Sequence, residues 1–233
     1  MEQIKQANRI QTSILNAAEK KALVWMAERM PKWVNSNMLT GIGTFGALVI
    51  AAGYILSNLN LNYIWLASFG LLINWFGDSL DGTLARVRNT QRPVFGYYLD
   101  HTMDVFNEFF MFIGVGLSAM MHLYIVIGLY IIYILLTLNV SINAHLRREF
   151  RITYAKLGPT EFRIIAIIIN TIWILVPAVR EYSRKIFIFG NDFTIGIGDY
   201  IGLGLLVVLL AIYISTVISD IKYYSKLDPA KKQ

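Results

Sequence analysis

Four aspartates stand where an apolar chain should least tolerate them. Asp78 and Asp81 lie near the end of one apolar segment, in Asp78-Ser-Leu-Asp81-Gly82-Thr-Leu-Ala85-Arg86. Asp100 and Asp104 lie near the start of the next, in Gly96-Tyr-Tyr-Leu-Asp100-His101-Thr-Met-Asp104. A carboxylate inside a membrane costs roughly 2.5 to 3.5 kcal/mol on insertion scales. Four together repel one another strongly unless a cation sits between them. Spacings of three and four place each pair on one face of a helix, so two facing helices offer four carboxylates to one point. Oxygen ligands without sulfur, and with little histidine, suit a hard cation such as Mg²⁺ or Mn²⁺. Magnesium in turn suits phosphate chemistry, because it keeps positions open for phosphate oxygens.

The elements that must carry these acids are membrane helices. Of 233 residues, 56% are hydrophobic and 15% charged, against about 25% charged in an ordinary soluble domain. Mean hydropathy is +0.52. Apolar runs long enough for a ~30 Å hydrocarbon core recur along the chain. The expected fold is an all-α integral membrane protein of six spans, at about 37–57, 62–86, 95–121, 123–147, 161–180 and 198–222. Residues 5 to 33 are charged and helix-forming, with Ile10, Ile14, Ala18, Ala22 and Met26 at four-residue steps and Trp25 and Trp33 near the end. They read as an amphipathic helix on the membrane surface or as a solvated helix packed on the bundle. The expected organisation is an interfacial segment over 1–36, a membrane domain over 37–222 and a basic tail over 223–233. Cysteine is absent, which excludes disulfides and thiolate metal sites. Met1-Glu-Gln-Ile-Lys5 lacks the basic-then-apolar pattern of a cleaved leader.

Charge placement orients the bundle. Of 21 Lys and Arg, only Arg180, Arg184 and Lys185 fall on one side. The others precede span one, flank the connector between spans two and three, cluster between spans four and five, or lie in the tail. The positive-inside rule puts both termini and the aspartates on the cytoplasmic face. Basic charge so placed marks a membrane side and not nucleic acid.

Gly82 and Gly96 lack a Cβ and let a ligand approach the backbone, although Gly82 and Ala85 also suit close helix packing. Arg86, one turn beyond Asp81, can pair with a carboxylate or clamp a phosphate with its planar fork. These residues together make the chain similar to the CDP-alcohol phosphotransferase (phosphatidyltransferase) family, whose signature is D-x-x-D-G-x-x-A-R, a spacer, then G-x-x-x-D-x-x-x-D. Asp78, Asp81, Gly82, Ala85, Arg86, Gly96, Asp100 and Asp104 match it within 27 residues. The spacer from Arg86 to Gly96 is nine residues where eight is usual, which predicts a longer loop and no lost ligand. Asn37-Met-Leu39-Thr40 resembles the family's N-x-L-T opening of the first span.

The resemblance implies transfer of a substituted phosphate from a CDP-linked alcohol to a second alcohol, with release of CMP, in phospholipid biosynthesis. It implies two metal ions, Mg²⁺ or Mn²⁺, on Asp78, Asp81, Asp100 and Asp104, with Asp104 as general base. It implies nucleotide and diphosphate contacts from Asn37, Thr40, Gly82, Ala85, Arg86 and Gly96, and a homodimer in the membrane. His101 resembles a histidine of the choline and ethanolamine branch and is a rival base; on an ideal helix it is turned about 100° from Asp100. The donor is thus CDP-diacylglycerol, with a small polar acceptor, or CDP-choline or CDP-ethanolamine, with a lipid alcohol. The compact six-span layout favours the first. If the source is bacterial or archaeal, the site is the cell membrane.

Other polar residues leave alternatives open. Glu108 continues the Asp100–Asp104 stripe, Asn74 precedes Asp78 by four, and Asn139 and Asn143 are four apart in span four. They line an acceptor pocket or hydrogen-bond between helices. Arg147, Arg148, Arg151, Lys156 and Arg163 are positive-inside charge or, by resemblance, a site for an acceptor phosphate. Gly158-Pro-Thr160-Glu161 reads as a helix start capped by Thr160, which puts Arg163 in the first turn, towards the cleft. His122 reads as a polar turn on the far side. A cation transporter would need acids deep in several spans; here they lie at one end of two.

Overall fold

A computed structural model of the chain describes residues 8–10, 15–147, 149–151, 158–188 and 190–229. Among them the elements run β1 (Asn8–Ile10), α1 (Asn16–Arg29), α2 (Ser36–Leu56), α3 (Tyr63–Val87), α4 (Pro93–Gly116), α5 (Leu123–Arg147), β2 (Glu149–Arg151), α6 (Pro159–Leu175), α7 (Pro177–Glu181), β3 (Ser183–Ile188), β4 (Asn191–Gly196) and α8 (Ile197–Leu227). A chain in hydrocarbon must satisfy its backbone hydrogen bonds within itself, which favours helices throughout. Three helices, α2, α5 and α8, are long and apolar enough to cross a membrane by length and composition. α3 and α4 have 25 and 24 residues but carry the aspartates; α6 has 17. The protein is an all-α membrane protein with two minor ribbons, the parallel pair β1–β2 and the antiparallel hairpin β3–β4.

Several boundaries differ from expectation. The N-terminal helix covers Asn16–Arg29 and not 5–33; residues 8–10 form a strand instead, and residues 1–7 and 11–14, Ile14 included, lie outside the described residues. Span three stops at Gly116, short of 121, and Leu117 and Ser118 turn back on the carbonyls of Ile113 and Val115. Span five does not reach 180. It stops at Leu175, because Pro177 has no N–H to donate and forces the preceding Val176 out of helical geometry (φ −116, ψ 90). The polar stretch after it forms the β3–β4 hairpin. The last helix continues to Leu227, past the predicted start of the tail at 223; residues 230–233 lie outside the described residues.

The tightest packing joins α2 to α3. A Cβ on Gly77 would lie 2.2 Å from the Gly43 nitrogen, and one on Gly46 would lie 2.4 Å from the Asn74 nitrogen. Further along, a Cβ on Gly53 would meet the Ala67 nitrogen at 2.3 Å. Backbone therefore touches backbone along the whole pair, as small residues permit where lipid supplies no hydrophobic drive between helices. Ile50, Tyr54, Ile64, Ala67 and Leu71 fill the space beside the seam, with Trp173 of α6. A buried relay joins the same three helices: Tyr54 donates to Asn170 Oδ1 (2.9 Å), and Asn170 Nδ2 donates to Ser68 Oγ (3.0 Å). Interhelical bonds of this kind are worth about 0.6 kcal/mol on average in a membrane.

α1 lies against the polar end of α3. Its Leu23 and Ala27 are buried with Val34, Leu39, Leu80 and Leu84. Its outer face carries Lys20, Lys21 and Trp25, the last 57% exposed.

The seam predicts a steep cost for one methyl group. Gly77→Ala should destabilise the protein by roughly 1–3 kcal/mol or more, because the neighbour in the way is backbone. Gly41→Ala, where nothing lies within 4 Å, should be neutral. Thermal unfolding of both variants in detergent micelles checks the contrast.

Candidate metal and phosphate site

The entry to α2 is fixed first. Asn35 caps the helix, accepting from the Met38 N–H at 3.0 Å, so Asn37 lies exposed in the first turn. Ser36 Oγ donates to the Asp81 main-chain oxygen at 2.9 Å. Thr40, one turn on, donates to Asp81 Oδ2 at 2.6 Å. The other Asp81 oxygen accepts the Gly82 N–H. The start of α2 thus orients Asp81 directly.

Three of the four aspartates converge. One carboxylate oxygen each from Asp78, Asp100 and Asp104 lies within 4.8 Å of the other two. Asp81 is outside that group and faces Thr40. Arg163 reaches into the cluster from the first turns of α6, as its position predicted: Nη2 donates to Asp78 Oδ2 at 2.7 Å. Nε donates to Asn74 Oδ1 at 3.0 Å, and Asn74 Nδ2 donates in turn to the Gly43 carbonyl at 2.9 Å. Asn74 is 1% exposed and so holds Arg163 to the α2–α3 seam. Sequence reasoning left Asn74 between two readings; its spacing of four from Asp78 was the available signal.

The donor set fits a divalent cation. Three carboxylates against one guanidinium leave the cluster strongly negative, and every convergent atom is an oxygen, as Mg²⁺ and Mn²⁺ prefer. Asp78, Asp100 and Asp104 are the residues that would hold it, with Asp81 beside them.

The remaining signature residues frame this group. A Cβ on Gly82 would stand 3.3 Å from Arg86 Nη1, so the glycine makes room for the guanidinium of its own helix and not for a neighbouring helix. Arg86 Nη2 donates to Thr83 Oγ1 at 2.9 Å. Ala85 is partly buried. Around Gly96 nothing lies within 4 Å of a built Cβ, which leaves open space over the start of α4. The α3–α4 connector runs from Arg88 to Arg92. It turns at Asn89, whose φ of 55° is the left-handed conformation asparagine tolerates. α4 starts at Pro93, before Gly96, so the extra spacer residue makes no long loop.

His101 stacks on Tyr97 with ring centroids 4.0 Å apart, and its Nδ1 lies 3.0 Å from the Tyr97 carbonyl and 3.8 Å from Asp100 Oδ2. Glu108 lies deeper on the Asp100–Asp104 stripe with the Tyr133 hydroxyl of α5 beside it. Tyr133 carried no signal in the sequence beyond being one of 13 tyrosines.

Other candidates are drawn elsewhere. Asn139 and Asn143 donate to Asp220 Oδ2 at 3.1 and 2.7 Å, and Arg147 donates to Asp220 Oδ1 at 2.7 Å. Tyr224 donates to Asn143 Oδ1 at 2.8 Å, and the Arg147 guanidinium lies 3.9 Å from the Tyr223 ring centroid. The asparagines therefore tie α5 to α8, and Arg147 belongs to that tie. Arg148 and Lys156 lie outside the described residues, as does the Arg151 side chain. Thr160 is not the cap of α6. Gly158 occupies that position, and Glu161 Oε2 accepts its N–H at 3.0 Å. His122 pairs with the buried Asp199 at 2.8 Å, a structural turn as expected.

A sequence profile of the CDP-alcohol phosphatidyltransferase family matches residues 33–218. A phosphatidylinositol phosphate synthase of Cutibacterium acnes is 35% identical over 84 residues. That match covers 36% of this chain and 38% of the relative's length.

The Asp220 tie gives a check that separates structure from chemistry. Asp220→Ala leaves Arg147 without its carboxylate and should cost about 3–5 kcal/mol. Unfolding in micelles reads the loss; an unchanged midpoint would show that the network carries no stability.

Proposed function

The chain belongs to the CDP-alcohol phosphatidyltransferase family, and from that premise we propose that it transfers a substituted phosphate from a CDP-linked alcohol to an acceptor alcohol and releases CMP, with CDP-diacylglycerol as donor. The observation that carries this reading is the convergence of Asp78, Asp100 and Asp104 with Arg163 on Asp78. Divalent ions, two by family resemblance, would neutralise the diphosphate and polarise the attacked phosphorus. The name of the Cutibacterium relative contains a phosphatidyl group and a phosphorylated alcohol, which favours this donor over CDP-choline or CDP-ethanolamine.

The chain's own residues divide the work. Asp78, Asp81, Asp100 and Asp104 would hold the metal, with Asp81 oriented by Thr40. Arg86, over the bare backbone of Gly82, clamps the diphosphate. Asn37 and Gly96 leave the approach open to the nucleotide. Asp104 takes the acceptor's hydroxyl proton. His101 is the weaker base, because its ring is stacked on Tyr97 and its Nδ1 faces a carbonyl. Arg163 has two nitrogens engaged, while its buried Nη1 has no hydrogen-bond partner among the described residues. That donor suits an oxygen of a phosphorylated acceptor. Glu108 suits the acceptor's hydroxyls.

The same reading places six spans in the membrane, with α3 and α4 completed by their packing on the apolar helices and α6 by its packing on α3. It puts both termini and the aspartates on the cytoplasmic side, lays the outer face of α1 on the interface, and pairs two copies in the membrane.

Asp78→Asn, Asp81→Asn and Asp100→Asn should each lower metal-dependent CMP release by more than about 100-fold. Near-normal turnover in all three would overturn the site. Asp104→Asn should keep binding CDP-diacylglycerol and lose turnover. Arg163→Ala should raise the KM for a phosphorylated acceptor, by roughly tenfold or more, above any effect on the donor.

A further inference from the structure

α1 carries none of the signature residues, yet polar contacts bolt it to the aspartate helix at both ends. Near its start, Glu19 Oε1 accepts from Trp75 Nε1 at 2.8 Å and from Thr160 Oγ1 at 2.5 Å, with Ser79 Oγ at 3.4 Å. One carboxylate oxygen thereby joins α1, α3 and α6. Leu15 N–H adds a second tie, donating to Glu161 Oε1 at 2.9 Å. Beyond its end, Arg88 donates to the carbonyls of Val34, Met30 (2.7 Å) and Pro31 (2.9 Å). These carbonyls belong to the turn that joins α1 to α2. The two bolts bracket residues 75–88, the segment holding Asp78, Asp81 and Arg86. Between them Leu23 and Ala27 pack on Leu80 and Leu84.

We propose that α1 is a splint for the catalytic hairpin, and that Glu19 and Arg88 are positioning residues acting through α3 and α6. This rests on the reading of Asp78, Asp100 and Asp104 as the metal group. Glu19 fixes the rotation of α3 at Trp75 and Ser79, on either side of Asp78 in sequence. Through Thr160 it also fixes the start of α6, from which Arg163 reaches Asp78 one turn later. α1 thus sets both partners of the Arg163–Asp78 pair from outside the cleft. A small rotation of either helix moves these side chains by enough to spoil a metal geometry, which tolerates about 0.5 Å.

Metal binding can be read apart from turnover, by Mn²⁺ titration followed by electron paramagnetic resonance on the full-length protein in micelles, well below its unfolding temperature. CMP release is measured alongside. Glu19→Ala should raise the Mn²⁺ needed for half-saturation by roughly fivefold and lower kcat, with donor KM changed less than about twofold. Glu19→Gln keeps an accepting oxygen and should restore most of both. Trp75→Phe removes one N–H and little bulk; it decides the matter if Glu19→Ala fails to fold, and it should shift Mn²⁺ binding in the same direction. Arg88→Ala should do likewise. Lys21→Ala, on the outer face of α1, should behave as the unaltered protein.

Mn²⁺ binding weakened in Asp78→Asn but unchanged in both Glu19→Ala and Trp75→Phe would overturn the splint alone. Mn²⁺ binding unchanged in Asp78→Asn as well would overturn the site reading and the splint with it.

Discussion

The backbone contact between α2 and α3 is the constraint from which the rest of the structure follows. Gly43, Gly46 and Gly53 on one helix lie against the backbone of Gly77, Asn74 and Ala67 on the other. Only at that distance can Ser36 and Thr40 reach Asp81, and only there can the side chain of Asn74 find the Gly43 carbonyl. Asn74 then holds Arg163, and Arg163 holds Asp78. A separation larger by one methyl group would break this chain of contacts at its first link. α4 joins by the same device: a Cβ on Gly114 would lie 2.6 Å from Ala51 Cα. Asp100 and Asp104 are carried in on that helix.

Electrostatics explains why such rigidity is needed. Acidic groups near lipid repel one another and have little water to screen them. Three aspartates outside the cluster have their donors: Asp81 has Thr40 and Gly82, Asp199 has His122 and Gly196, and Asp220 has Arg147 with two asparagines. The group of Asp78, Asp100 and Asp104 has one guanidinium for three carboxylates. That imbalance is the physical case for a cation, and the surrounding helices are braced so that the imbalance does not push them apart.

Much of this was legible in the residues. The spacing of the acids placed them on facing helices, and the first turn of α6 put Arg163 at the cleft, both as observed. What one chain's pattern could not carry was pairing between distant segments. Asn139 and Asn143 read as pocket or glue until Asp220, about 80 positions later, supplied their partner. The break at Pro177 and the hairpin after it follow from local chemistry, since a proline stops an α-helix; an apolar run across it masked the stop. Thr160 resembled a cap because its type and place suit one. Gly158 took the position because Pro159 at the first helical site and Glu161 two residues later complete a start without it. The glycines of the α2–α3 seam were visible as letters, but their facing partners are set in three dimensions.

The braced acidic cluster is proposed to pass a substituted phosphate from CMP to an acceptor alcohol. Phosphorus NMR on the purified protein in micelles, with CDP-diacylglycerol, Mg²⁺ and a phosphorylated polyol, tests it most directly. The expected result is loss of the two diphosphate resonances, matched growth of the CMP monoester and appearance of a new phosphodiester, all halted by a chelator. A diphosphate that persists across a panel of acceptors and CDP-linked donors, with metal present, would contradict it.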